Sequence, residues 1–392
     1  MLYGSMDPNE RFRARRDHTR RRKRRRRAAM LGVPLLAVVA LGAGWQLRTV
    51  RGHTKAPRAA TPAVTVTPTS SVVRPRPLPI EIRGIHVTAA LASLPGKLAQ
   101  YARLKNQGLN TIELDIKDEG GEVAFAPSSV PLVRAIGASR GYYNPRAVAR
   151  QLHARGIYLI GRVVVFQDPR LATAKPELAI HRGNGSVWTT SAGLGWVDPY
   201  DKRVWAYDVG IASAAARAGF DEIMFDYVRF PSDGNVGDTI YPARTAETRG
   251  RVIADFAAYA DAHLREFGTR VSTAVFGLSA TRDLRIGQVP RWIGSHVDTV
   301  SPMSYPALYG AGELGIAHPS DEPGETVFRT LGDFRRQLRG SGTHLVPWIQ
   351  DWGYDLQQVR AQIESARLQG AKGYLLWNAE GLYTSGALAA AN

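Results

Sequence analysis

FDEIMFDYVRFP, residues Phe220 to Pro231, runs from an alternating apolar segment, Ile223, Met224 and Phe225, into Asp226, Tyr227, Arg229 and Pro231. The first part has the pattern of a buried strand. A carboxylate and a guanidinium placed where such a strand gives way to a loop are partly desolvated, and groups of that kind are normally kept for recognition or catalysis. The plainer reading is an Asp226 to Arg229 ion pair that only fixes a turn. The functional reading is favoured because the surrounding chain repeats the same strand-end pattern.

Working outward, strand-like runs fall at residues 84–88 (GIHVT), 111–117 (TIELDIK), 158–166 (YLIGRVVVF), 222–228, 270–277 (RVSTAVFG), 299–305 (TVSPMSY), 344–350 (HLVPWIQ) and 373–378 (GYLLWN). Helical periodicity lies between them, over residues 97–107, 145–155, 202–218, 248–267, 288–295, 325–339 and 356–369. Gly108, Gly156, Gly219 and Gly370 stand where a helix would end and the next strand begin. This alternation predicts a (β/α)8 TIM barrel. A doubly wound open sheet is the alternative, but the glycine-rich phosphate turn usual after its first strand is missing. The connection over residues 167–200 is too long for an ordinary loop. With residues 126–143 and 232–244 it is expected to sit above the barrel mouth and shape a groove.

In this fold, chemistry collects at the C-terminal ends of the strands. Those ends carry carboxylates, amides and aromatic rings, the mixture a sugar cleft needs: flat ring faces stack on aromatics while hydroxyls bond to charged and amide groups. Glycosidic hydrolysis usually requires two carboxyl groups, one as acid and one as nucleophile or base. Asp226 is the first choice for nucleophile or base, kept ionised by Arg229 or Lys117. Asp115 and Asp351 are the candidate acids, Asp115 having the plainer alternative of a buried carboxylate paired with Lys117 or Arg162. Lys117, Arg162, Arg229, Tyr305, Trp348, Gln350, Trp377 and Asn378 are expected to hold the sugar. Asp118 and Glu119 read as solvated loop charges, and His86, a lone strand histidine, as a hydrogen-bonded core residue. No metal site and no cofactor is expected. The chain has no cysteine, no HExxH and no Gx4GK[ST], and DEGGE over Asp118–Glu122 lacks EF-hand spacing. Ser191 and Ser301 have no nucleophile-elbow context.

The net charge of +17 is concentrated at one end: residues 1–80 hold 18 Lys and Arg against 3 Asp and Glu, leaving the remainder near neutral at 33 against 31. The basic run Arg20 to Arg27 is followed by AAMLGVPLLAVVALGAGWQL, residues 28–47, which is uncharged and near the length that crosses a bilayer. The positive-inside rule then expects residues 1–27 in the cytoplasm, a transmembrane anchor at 28–47 and the rest outside. A cleavable signal peptide is the competing reading, with an unusually long charged region. The adjoining apolar segment argues against a nucleic-acid-binding arm. Residues 48–80, rich in Pro, Thr, Ala and Val, suit an extended spacer before a folded domain at 81–392.

Taken in order, ELDIKDEGGEVAF, GRVVVFQDPRLA, GWVDPY, FDEIMFDYVRFPSDG, SPMSYP, PWIQDW and YLLWNAEGLY resemble a bacterial glycosyl hydrolase domain family, a TIM-barrel group in the glycoside hydrolase superfamily. The resemblance runs from about Arg83 to Tyr383. It implies a (β/α)8 barrel and a polysaccharide-active role. The family's fifth strand often carries an Asp before VFG, where this chain has Ala274; if that Asp is catalytic in relatives, this member is a binder. The Met303 and Tyr305 pattern and Trp377 resemble the chitinases, but the DxxDxDxE motif would need Glu near Val228. The expected function is a membrane-anchored, extracytoplasmic glycoside hydrolase acting on a cell-wall or extracellular polysaccharide. The alternative is a non-catalytic carbohydrate-binding barrel.

Overall fold

The computed structural model describes residues 74–390. The tail and apolar span expected over residues 1–47, and the linker as far as residue 73, lie outside the described residues. Among the described residues no helix is long and apolar enough to cross a membrane.

Strands β1 (Ile82–Val87), β2 (Thr111–Lys117), β3 (Tyr158–Val164), β4 (Glu222–Asp226), β5 (Arg270–Phe276), β6 (Thr299–Ser304), β7 (His344–Leu345), β8 (Trp348–Gln350) and β9 (Gly373–Trp377) form one parallel sheet among the described residues. Its order is β5-β4-β3-β2-β1-β9-β8-β6-β7, and β5 also pairs with β6, so the sheet closes on itself. β7 and β8 are two halves of one stave. Both lie beside β6, through Thr299↔His344 and Met303↔Trp348. Val346 and Pro347 separate them, and proline has no N–H to give to a ladder. The described residues therefore build an eight-stave parallel barrel with helices, and the expected seventh strand over residues 344–350 is broken at its proline.

Helix Lys202–Ala218 starts where the Asp201 side chain accepts from the Arg203 N–H, and stops at Gly219 with φ of 104°. Helix Leu356–Leu368 starts with a reciprocal capping box between Asp355 and Gln358. Two apolar layers result from strand alternation. One lies between sheet and helices and takes Ile112, Leu114 and Ile116 of β2. The other fills the barrel interior with Ile82, Tyr158, Ile160, Met224, Ala274 and Leu375.

Closure between β1 and β9 depends on Gly373. Its φ is +146°, and a Cβ there would lie 2.1 Å from Ile82 O. Gly373→Ala is expected to cost roughly 2–4 kcal/mol by prising the β1–β9 ladder apart. Thermal unfolding checks this; an unchanged melting temperature would mean that the seam tolerates a side chain.

The long connections after β3 and β4 knit together at the C-terminal rim. His181 N–H donates to Ile240 O at 2.9 Å, Trp188 Nε1 to Asn235 O at 2.9 Å, and Ser191 binds Asp233 through both N–H and hydroxyl. One wall of the rim is thus ordered by backbone and side-chain hydrogen bonds together.

Candidate active site

Residues i and i+2 of a strand share a face, so His86 of β1, Glu113 and Asp115 of β2, Arg162 of β3 and Asp226 of β4 all turn into the barrel. Register brings them level: Asp115 pairs with Arg162, and Val164 with Asp226. All five are buried. Arg162 Nη1 donates to Asp115 Oδ1 at 2.7 Å, while its Nε and Nη2 donate to Asp226 Oδ2 at 2.9 and 2.7 Å. One planar fork therefore holds both carboxyls. The Tyr227 N–H donates to Asp226 Oδ1 at 2.7 Å. Tyr227 has φ of 54°, a left-handed conformation that costs a non-glycine residue energy and collects at functional sites. These contacts to Asp226 are all donors, which leaves it the acceptor role of a carboxylate.

Asp115 has a different environment. Burial pushes its carboxyl up to about 7, against the opposing pull of His86 and Arg162. His86 lies beside it, with Nε2 3.7 Å from Asp115 Oδ2 and Nδ1 in a short hydrogen bond to Glu113 Oε2. Burial lowers His86 to about 4 and raises Glu113 well above the usual carboxylate range. The imidazole stacks on Trp377 at 4.1 Å and meets the edge of Trp348 at 6.0 Å. Arg162 lies 5.5 Å from the Trp377 ring centre. Tyr305 completes this wall: burial first, and the Asp226 charge second, raise its hydroxyl well above 10.

His86, Glu113 and Asp115 each offer a ligand atom within 4.8 Å of the others, a spacing that a metal ion could use. However, Arg162 Nη1 already donates to Asp115 Oδ1, and His86 Nδ1 is engaged with Glu113. Within the trio His86 and Glu113 are joined by a hydrogen bond, while His86 Nε2 stands 3.7 Å from Asp115 Oδ2.

The barrel thus gathers Asp115, Arg162, Asp226, Tyr305, Trp348 and Trp377, and sets other expected site residues elsewhere. The cation against Asp226 is Arg162, not Lys117. Pairing along β2 shifts between Asp115 and Lys117, turning Lys117 into the helix layer. There its Nζ meets Asp168 at 2.7 Å and Asp208 at 2.6 Å with no exposure to solvent. Arg229 is buried against the rings of Trp196, Tyr227 and Phe276 at 4.9, 5.0 and 4.6 Å, with Nη1 donating to Phe230 O. Gln350 accepts from the Ala307 N–H and donates to Trp352 O, and Asn378 donates to Asp351 O, so both amides shape loops. Asp351 accepts from the Thr384 N–H and hydroxyl. Burial raises it against those bonds, and both of its carboxylate oxygens are taken up by Thr384. Asp351→Asn is therefore expected to keep the wild-type rate in an assay that Asp226→Asn abolishes; a matching loss would return Asp351 to the chemistry.

Glu113 and Glu119 also stand at the site, beside His86 and Tyr227. Glu113 was legible in ELD, since two acids at i and i+2 of one strand share a face. Glu119, read as a solvated loop charge, has Oε2 3.6 Å from Arg162 Nη1. Its loop is fixed by Asp118 Oδ1, which accepts from the Gly120 and Glu122 N–H groups, and by Gln167 Nε2 on Glu119 O.

Several solved structures are similar. The PgaB (BpsB) glycoside hydrolase domain from Bordetella bronchiseptica has 17% identity and a TM-score of 0.57, over 77% of this chain and 95% of that one. The C-terminal domain of a chitinase-like protein from Desulfitobacterium hafniense DCB-2 has 11% identity and a TM-score of 0.50, over 79% and 97%. A hypothetical protein from Ruminiclostridium thermocellum ATCC 27405 has 37% identity over 48% of this chain and 96% of that one, at a TM-score of 0.45. At the identities of the first two, the likeness shows the barrel fold. No curated protein matches the chain. The family described as "Putative glycosyl hydrolase domain" matches residues 84–383, and the chain belongs to it.

Proposed function

We propose that the protein is a membrane-anchored glycoside hydrolase whose barrel acts outside the cytoplasm on a cell-wall or extracellular polysaccharide. The observation that carries this reading is the pair of carboxyls held on one guanidinium: Asp115 and Asp226, both bonded to Arg162 inside the C-terminal mouth. Asp115, held up to about 7 by burial, keeps a proton to give to the leaving oxygen. Asp226 attacks the anomeric carbon, or draws a proton from the water that does. Trp377 and Tyr305 offer ring faces to the sugar. The anchor rests on the charge pattern of residues 20–47, outside the described residues.

The test is release of reducing ends from peptidoglycan, chitosan and α- or β-glucans by the full chain. Because the acid must be protonated, kcat/KM is expected to fall as pH rises through about 7, the value to which burial brings Asp115. A flat profile from pH 6 to 9 would remove Asp115 as the acid. A second reading, a carbohydrate-binding barrel without catalysis, is favoured by Ala274. It sits in the barrel interior, where the resemblance expects an Asp. Glycan binding with no reducing-end release would support that reading.

A further inference from the structure

His86 and Glu113 are buried titratable groups that the proposed hydrolysis does not use. Glu113 Oε2 shares a short hydrogen bond with His86 Nδ1. The other ring nitrogen, Nε2, has no hydrogen-bond partner, and neither has Glu113 Oε1. Nε2 faces Asp115 Oδ2 at 3.7 Å. The ring is clamped in this pose by Trp377 and Trp348, and the His86 carbonyl accepts from the Tyr383 hydroxyl. An immobilised imidazole with one carboxyl at each nitrogen has the form of a proton conduit.

We propose that His86 is a positioning residue that returns a proton to Asp115 in each catalytic cycle, with Glu113 as the proton reserve behind it. This rests on the reading of Asp115 as the acid. After Asp115 has protonated the leaving oxygen, the Nε2 proton passes to Asp115 Oδ2 while the Glu113 Oε2 proton passes to Nδ1. The ring stays neutral and Glu113 becomes a carboxylate. The proton released by the attacking water, directly or by way of Asp226, is bound at Asp115 Oδ1 as Oδ2 returns its proton to Nε2 and Nδ1 returns its own to Glu113, so that Asp115 and Glu113 both end protonated, the ring ends with Nε2–H, and the balance closes. The groups whose charge acts on His86 are Asp115 of β2, Arg162 of β3, Glu119 of the loop after β2 and Asp226 of β4. Burial, helped by Arg162, outweighs the three carboxyls and lowers His86 to about 4, so the ring is neutral at working pH. Burial also raises Glu113 well above the usual carboxylate range, which favours its protonated form.

Two measurements test this, one of them without substrate. In full-length protein carrying nitrogen-15 labelled imidazoles, the signals lost in His86→Gln belong to His86. They are expected to show a neutral ring with Nε2 protonated and Nδ1 accepting from pH 5 to 8. A ring protonated at Nδ1 with Nε2 bare overturns the proposal, whether or not any glycan is cleaved. On whichever glycan the wild type cleaves, Glu113→Gln keeps a hydrogen-bonding group at Nδ1 but cannot release a proton. It is expected to lower kcat by about tenfold or more, to leave KM within about twofold, and to shift the alkaline limb of the pH profile. Wild-type kcat with an unmoved profile also overturns it. Should Glu113→Gln fail to fold, His86→Gln takes its place with the same expected outcomes. If no glycan is cleaved but the expected tautomer is found, the hydrolase reading fails while the arrangement of His86 stands.

Discussion

Asp226→Asn is expected to lower kcat by about 10³-fold, roughly 4 kcal/mol of transition-state stabilisation, with KM changed by no more than a few fold. The size follows from the position of the group. An oxocarbenium-like transition state needs a negative oxygen beside the anomeric carbon, or one that activates water there, and an amide supplies neither. Binding should survive, because the proposed sugar contacts are the ring faces of Trp377 and Tyr305 and not this carboxyl alone. The amide keeps nearly the same shape but has one oxygen where the carboxylate has two: with that oxygen on Arg162 its NH2 faces the Tyr227 N–H and this bond is lost, a stability cost of about 1–3 kcal/mol that thermal unfolding of the variant reads separately from the rate. Asp115→Asn gives the contrast. It removes only the proton donor, so a glycoside whose leaving group departs without protonation should recover much of its rate in Asp115→Asn and little in Asp226→Asn. Steady-state kinetics of both variants on a polysaccharide and on an activated aryl glycoside would decide. A near-normal rate in Asp226→Asn on the polysaccharide would remove this residue from the mechanism.

How far such a site can be read from sequence depends on which contacts are local. The staves were legible because each is an apolar run closed by a turn or a glycine, signals that lie within one segment. Asp226 was legible for the same reason, at the end of an apolar strand. The partner of Asp226 was not. Arg229, three residues away, looked the natural cation, whereas Arg162 reaches Asp226 across 64 positions of chain through the pairing of β3 with β4. Strand register is set by the whole barrel, so no local pattern could prefer one arginine over the other. Lys117 failed for a subtler reason. Alternation from Glu113 through Asp115 would keep it on the inner face, and one irregular step in the β2–β3 ladder turned it outward. A single-residue shift in a strand exchanges its two faces, and nothing in TIELDIK announces it. Asp351 stood in the right segment, but Thr384, 33 residues further on, closes over its carboxylate.

The outward turn of Lys117 leads to the largest stability effect expected in the molecule. Its ammonium is the cation between Asp168 and Asp208, all three side chains having no exposed surface. Burial lowers its proton affinity, but the two carboxylates more than reverse that and leave it raised. Lys117→Met fills similar volume yet leaves two buried carboxyls without their cation. Breaking a buried ion pair from one side costs roughly 3–5 kcal/mol, about 5 °C or more in melting temperature for a domain of this size. The loss should depend on pH. Burial already raises Asp208 to about 7 in the folded protein, against the pull of Lys117. A carboxyl raised on folding binds its proton more tightly in the native state, so stability falls as pH climbs from its ordinary range near 4 through the raised value. Without Lys117 the carboxyl rises further and that decline extends to higher pH, so the variant should lose more at pH 8 than at pH 5. Lys117→Met combined with Asp208→Asn should recover part of the loss at pH 8, because one of the two stranded charges is gone. Thermal unfolding of the wild type, the single variant and the double variant at both pH values would check this. Equal melting temperatures for wild type and Lys117→Met at pH 8 would mean that water reaches the triad and that its charges are not buried together.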